Sequence, residues 1–204
     1  MESADAPLPD EQEFVAEEAA RANVYALLGG LFYDAPNEVL LATIARTDAE
    51  GDDTRMGAAW RELREACRTA FPVVLKQEFD NLFVGVGKSE ITPYTSHYVK
   101  GIAPDHYLVR LREHLGDWGL GRRGAATEPE DHVSGIFDVM RHLVVEGGSL
   151  EQQELFFNEF VYPGITPFCL AIAASPNAGF YRCVAQFATE FLAVEKAGFE
   201  LQDS

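Results

Sequence analysis

The sequence is short of lysine. Four lysines stand beside twelve arginines, and these 16 bases face 33 acids for a formal charge of −17 at pH 7. A surface of that sign repels nucleic acid and anionic lipid and attracts cations over distance, so a basic peptide suits it as a partner. Scarce lysine with excess acid fits either a salt-rich cell or a biased base composition. The first twenty residues hold seven acids and no Lys or Arg, the reverse of the basic start of a secretory signal. No uninterrupted apolar run approaches the roughly eighteen residues that span a bilayer, so stable membrane insertion is not expected. Cysteine is sparse as well. Cys67, Cys169 and Cys183 lack zinc-type spacing, and pairing two leaves one over, which argues against a disulfide framework and for the cytoplasm.

The spacings that catalysis needs are missing too. HxxxH and HExxH do not occur, and the side chains within the pairs Asp105-His106 and Asp131-His132 would diverge by about 100° on a helix. A metal-dependent hydrolase built on those pairs is therefore a weak rival. The Gly85–Ser89 stretch resembles a phosphate loop only superficially, because the upstream glycine and preceding strand are absent. The expectation is a protein without catalytic residues, cofactor or metal.

What is present is helical periodicity from end to end. With 47% apolar residues, 14 of the chain being Phe, 204 residues can bury the core of one all-α domain. About nine helices are predicted. Asp10 and Glu13 read as an N-cap and its partner ahead of a stripe through Phe14, Arg21, Tyr25, Leu28 and Phe32. Pro36 suits the first turn of a second helix, and Met56, Trp60, Leu63 and Cys67 mark a third. Pro72 opens a fourth, with Leu75, Phe79, Leu82 and Phe83, that ends at Gly85. Leu108, Leu111, Leu115 and Trp118 mark a fifth, and Pro129 opens a sixth. Ser149 with Gln152 forms a capping box for a helix to about Val161, after which Pro163 begins another that Pro176 stops. Phe180, Val184, Phe187, Phe191 and Val194 define the inward face of the last. Residues 1–9 are expected to form a mobile acidic arm ahead of a domain over 10–204. The stretch 119–127, with three glycines around Arg122 and Arg123, is a candidate hinge or internal boundary. A monomer is expected, and such a hinge leaves exchange of C-terminal helices between two chains open.

Two segments could carry chemistry. Glu128-Pro129-Glu130-Asp131-His132 crowds three carboxylates and an imidazole at a helix start, where charge matching to the helix dipole is the ordinary explanation and ligand contact the sharper one. Leu82 and Phe83 arrive at a helix end that breaks into a glycine and proline loop, followed by Tyr94 and Ser96 with groups able to hydrogen bond; core packing is the ordinary explanation there.

Together, Leu82 to Gly87, Thr92-Pro93-Tyr94-Thr95-Ser96-His97-Tyr98, the Glu128–His132 segment and the terminal Phe180–Glu195 helix resemble the TorD/DmsD family of redox-enzyme maturation chaperones, over roughly residues 20–195. The resemblance implies an all-helical cytoplasmic protein. It would bind the twin-arginine signal peptide of a molybdopterin-containing oxidoreductase, and so its catalytic subunit, until the cofactor is loaded. By motif, the peptide-binding and hinge positions would be Leu82, Phe83, Tyr94, Ser96, Glu128, Pro129, Asp131 and His132. Similar proteins often read Pro-Pro-Tyr-Glu-Ser where this chain has Thr92-Pro93-Tyr94-Thr95-Ser96, and carry a Pro-Trp pattern in the stretch where it has Glu159 to Gly164. A helical adaptor that stays with a redox complex is the alternative role.

Overall fold

The computed structural model describes residues 9–47, 53–85, 88–121 and 128–202. Among them the chain forms α1 (Pro9–Tyr33), α2 (Glu38–Arg46), α3 (Arg55–Thr69), α4 (Pro72–Phe79), α5 (Pro104–Asp117), α6 (Val133–Val145), α7 (Leu150–Phe156), α8 (Tyr162–Ala174) and α9 (Phe180–Gln202). Two π-helical turns, Asp80–Val84 and Phe157–Val161, extend α4 and join α7 to α8. No strand occurs among the described residues; Tyr94 and His132 make one isolated antiparallel bridge. The fold is all-α and single-domain, as the periodicity predicts. Residues 1–8 and 122–127, and with them most of the expected arm and hinge, lie outside the described residues.

Helix starts follow local chemistry. Asn37 and Thr54 accept the Leu40 and Gly57 amides at 2.9 and 3.0 Å, capping α2 and α3, so Pro36 stands just ahead of α2 and not in its first turn. Pro72 sits at the start of α4, where its missing N–H costs nothing, and Ser149 and Gln152 close the expected capping box on α7. Asp10 lies within α1, which already runs from Pro9. Glu78, near the end of α4, caps α9 from a distance: its carboxylate accepts the amides of Gly179, Phe180 and Tyr181 at 2.8, 3.2 and 2.9 Å.

Pro163 does not begin a separate helix. The wide turn at Phe157–Val161 accommodates a residue that cannot donate to the ladder, and 150–174 continues as one rod. By length and composition this run could cross a membrane, with mean hydropathy 1.3 over its most apolar window, although charged residues interrupt it. Half of that window is buried in the fold, where Phe156, Phe157, Phe160, Ile165 and Phe168 fill the core.

The longest packing seam is α1 on α6, with α9 laid across α3 and α8. Phe180, Val184, Phe187 and Phe191 point inward on α9 as predicted, but Val194 is 54% exposed. The inward stripe steps by four at that point and continues through Glu195 and Phe199.

Candidate peptide-binding site

The site is built where two chain breaks meet. Gly85 stops the π turn after α4 with φ of 64°, and a Cβ there would lie 2.3 Å from the Lys88 carbonyl oxygen, so only glycine turns the chain here. The Ile91 amide then bonds back to Leu82 O at 2.8 Å. From Thr92 to Tyr98 the chain runs beside the 128–132 turn: Thr95 N donates to Asp131 O at 2.8 Å and Val133 N to Pro93 O at 2.9 Å.

Those two bonds hold 130–132 away from helical geometry. In consequence α6 begins at Val133, not at Pro129, and the three acids form a turn ahead of the helix instead of its first turn. His132 is the cap. Its Nδ1 accepts the Ser134 amide at 3.2 Å and lies 2.7 Å from Ser134 Oγ.

Six of the eight expected residues come together here. Tyr94 Oη donates to Glu128 Oε2 at 2.7 Å, and Ser96 Oγ donates to Asp131 Oδ2. Pro129 is exposed, and its carbonyl closes the turn by accepting the His132 amide at 3.1 Å. Glu130, which the motif does not single out, pairs with Arg112 at 2.8 Å. Asp131 is only 2% exposed, so its carboxylate is committed inside the turn while Glu128 stays half-buried. Burial, then the hydrogen bond and charge of Glu128, push the Tyr94 phenol up to about 12. Burial lowers the His132 imidazole below its ordinary value, against the pull of Glu128 and Asp131.

Leu82 and Phe83 are not with the other six. Leu82 is fully buried, and the Phe83 ring packs 5.2 Å from Phe79, 5.1 Å from Tyr181 and 5.9 Å from Phe168. Both lie in the core, with the Leu82 carbonyl accepting the Ile91 amide just ahead of the loop that carries Tyr94.

Beside the turn a cavity of about 730 Å³ opens between α1, the end of α5 and α6. Tyr25 and Gly30 of α1, Trp118 at the end of α5, and Asp138 and His142 of α6 line it, with Glu128 of the turn. The size matches a pocket for a few side chains of an extended ligand. Gly135, Asp138 and His142, on the side of α6 opposite its apolar face, face this space; Gly135 and His142 are half-buried, and the exposed Asp138 is held by Arg141 at 3.1 Å. Among the described residues no three of His, Cys, Asp or Glu converge as metal ligands.

Three residues carry the site without having been singled out. Thr95 is fully buried between Tyr94 and Ser96, Tyr107 of α5 reaches its hydroxyl at 2.8 Å, and Gly164 of α8 lies against it. Thr95 stands where similar chaperones often carry an acid, and Gly164 lies in the second stretch that departs from their pattern.

The family model described as nitrate reductase delta subunit matches residues 49–169, more than half of the chain. The chain is 26% identical to the chaperone protein TorD of Colwellia psychrerythraea, over 90% of its own length and 93% of that protein. To the TorD chaperone of Vibrio cholerae serotype O1 it is 25% identical, over 91% and 94%. These relatives are chaperones by name, the family is non-catalytic, and the resemblance carried by the Tyr94 and Glu128 segments is borne out. With a helical fold, a polar turn braced against Tyr94–Ser96 and that match, the chain belongs to the nitrate reductase delta subunit family, the family of the TorD chaperones.

Proposed function

We propose that the protein is a cytoplasmic maturation chaperone that holds the twin-arginine signal peptide of a molybdopterin-containing oxidoreductase until its catalytic subunit has received its cofactor. The observation that carries this reading is the Glu128–His132 turn, braced by Tyr94 and Ser96 at the mouth of a 730 Å³ cavity in a protein of charge −17. Glu128 offers the carboxylate for a guanidinium, with Tyr94 fixing its direction. Asp131 and Ser96 hold the turn in shape, Pro129 stiffens it, and His132 anchors it to α6. Leu82 and Phe83 act from the core, where the Leu82 carbonyl holds the chain just ahead of the Tyr94 loop.

Energies set the division of labour. Exposed ion pairs contribute about 0.2–1 kcal/mol each, so two arginines supply at most about 2 kcal/mol. A micromolar complex needs about 8 kcal/mol. Apolar burial in the cavity, at about 25 cal/mol per Å² before ordering costs, has to supply most of the difference. The acids steer and select, and the cavity wall retains.

The test is the binding kinetics of a synthetic twin-arginine leader at two salt concentrations, with a leader carrying glutamines in place of both arginines as control. Glu128→Gln should slow association, flatten its salt dependence and weaken binding by up to about fivefold, because one exposed ion pair contributes at most about 1 kcal/mol and exposed charges are screened beyond about 8 Å at physiological ionic strength. Equal affinity for both leaders overturns the reading. The word subunit in the family's description favours a second role, an adaptor that remains on the assembled complex. Stable copurification with mature enzyme, and no preference for the precursor, would point to that role.

A further inference from the structure

We propose that Thr95 and Gly164 are a matched pair of positioning residues: the threonine seats on bare backbone of α8 and thereby holds the Glu128–His132 turn at the cavity mouth. The inference rests on the reading of that mouth as a peptide site, and it concerns what sets the site's geometry, not what touches the ligand.

Thr95 sits between the two side chains that reach the turn, since Tyr94 bonds to Glu128 and Ser96 to Asp131. Its own amide donates to Asp131 O at 2.8 Å, and its Oγ1 lies 3.1 Å from the same oxygen. On the other side Oγ1 is 2.8 Å from Tyr107 Oη, which in turn lies 3.3 Å from Phe160 O in the π turn between α7 and α8. Two hydroxyl protons can fill two of these three contacts at once; with Thr95 Oγ1 donating to Tyr107 Oη and Tyr107 Oη to Phe160 O, the Thr95 amide makes the link to Asp131 O, and the chain of bonds runs from the turn to the core rod with no charge in it.

Gly164 closes the seat. A Cβ built there would lie 2.6 Å from Thr95 Cβ, 3.0 Å from Cγ2 and 3.4 Å from Cα. Rotating the threonine side chain relieves only the Cγ2 contact, because Cβ and Cα move only with the backbone. One methyl group on α8 must therefore displace the 92–98 loop, and that loop carries both anchors of the turn. α8 is fixed in the core on either side of this contact by Val161, Ile165 and Phe168, all fully buried, so the loop is the part that gives. The 92–98 loop is thus held on one side by α8 and on the other by the 128–132 turn, and its thickness at Thr95 fixes the distance between them.

Gly164→Ala tests this in the full chain, by leader-binding kinetics and by an NMR titration of the His132 ring. The expected result is retained helical ellipticity, leader dissociation faster by at least about tenfold, and an imidazole titration moved upward toward its ordinary range as the turn opens to water. Thr95→Gly in the same background, which removes the clashing Cβ, should bring both readouts back toward wild type. Thr95→Ala alone, a milder change for use if Gly164→Ala does not fold, should shift both in the same direction by a smaller amount. Wild-type titration and dissociation in Gly164→Ala, or in Thr95→Ala where that is the folded variant, overturn the proposal. So does a double variant no better than Gly164→Ala. If the wild-type protein captures no leader, the peptide reading fails, and the His132 titration still judges the seat by itself.

Discussion

Arg21 of α1 grips Glu195 of α9 with two hydrogen bonds, Nε to Oε1 at 2.8 Å and Nη2 to Oε2 at 2.9 Å. Tyr25 donates to Oε2 of the same carboxylate at 2.7 Å, and the Phe199 ring lies 5.7 Å from the guanidinium. Burial works against the Arg21 charge, but the hydrogen bonds and charge of Glu195, then of Glu18, outweigh it and raise its pKa. Tyr25 is pushed well above its ordinary value, by burial first and by Glu195 second, and stays neutral. The pair joins two helices that otherwise meet little.

Removing the Glu195 charge leaves the part-buried Arg21 with Glu18 as its remaining carboxylate partner. Glu195→Gln should therefore cost about 1–3 kcal/mol in urea unfolding, whereas the triple change Arg21→Met, Tyr25→Phe and Glu195→Leu should cost less, since neither a charge nor an unpaired hydroxyl is left behind. Equal losses in the two variants would mean that the ion pair itself, and not the stranded charge, supplies the stability.

Leu82→Ala should act on the fold and not on the ligand. A fully buried leucine truncated to alanine costs about 2–5 kcal/mol. Measured well below the unfolding temperature, the leader's dissociation rate should match wild type while the thermal midpoint falls. A dissociation rate raised at an unchanged midpoint would place Leu82 on the peptide after all.

His132 makes stability depend on pH. Its folded pKa is lowered, so the neutral form is the one the fold favours, and the neutral Nδ1 is the acceptor that caps α6. That contribution is fully present above the unfolded value of about 6.5 and is lost as pH falls through the lower folded value. Urea unfolding between pH 7.5 and about 5 should show this slope in the wild type and a shallower one in His132→Gln. Parallel curves would show that another group carries the dependence.

Phe187→Ala should cost about 3–5 kcal/mol, because the ring is buried and lies 5.0 Å from Trp60 across the α3–α9 seam. Trp60 fluorescence should move to longer wavelength in the folded variant as water reaches the gap. An unaltered midpoint would contradict the packing of that seam.

The features legible in the sequence are those written within a few residues of themselves. Ser149 with Gln152 announces α7 because both halves of a capping box lie three positions apart, and the α9 stripe from Phe180 to Phe191 follows from helical spacing alone. Arg21 stood in an apolar stripe without a visible reason, since its partner lies 174 positions away. The start of α6 at Val133 was equally hidden: it is set by bonds to Pro93 and Thr95, which no local rule for Pro129 contains. Leu82 and Phe83 read as a helix end able to meet a ligand, but the π turn adds a residue to that turn and carries both inward. At the site, the composition of the turn was legible. The division between Glu128 at the surface and Asp131 within it depends on Ser96, which arrives from another loop.

Glu78 caps α9 across 101 to 103 positions. In a chain growing on the ribosome, α4 is therefore finished long before the helix whose amides it receives. Until α9 is made, that carboxylate stands beside a core still missing Phe180, Phe187 and Phe191, and the α3 and α8 faces they cover remain open. Contacts this far apart in sequence slow folding, because a large loop has to close before they give anything back. A protein proposed to guard another chain's unfinished state is thus itself incomplete until the α9 amides can reach Glu78.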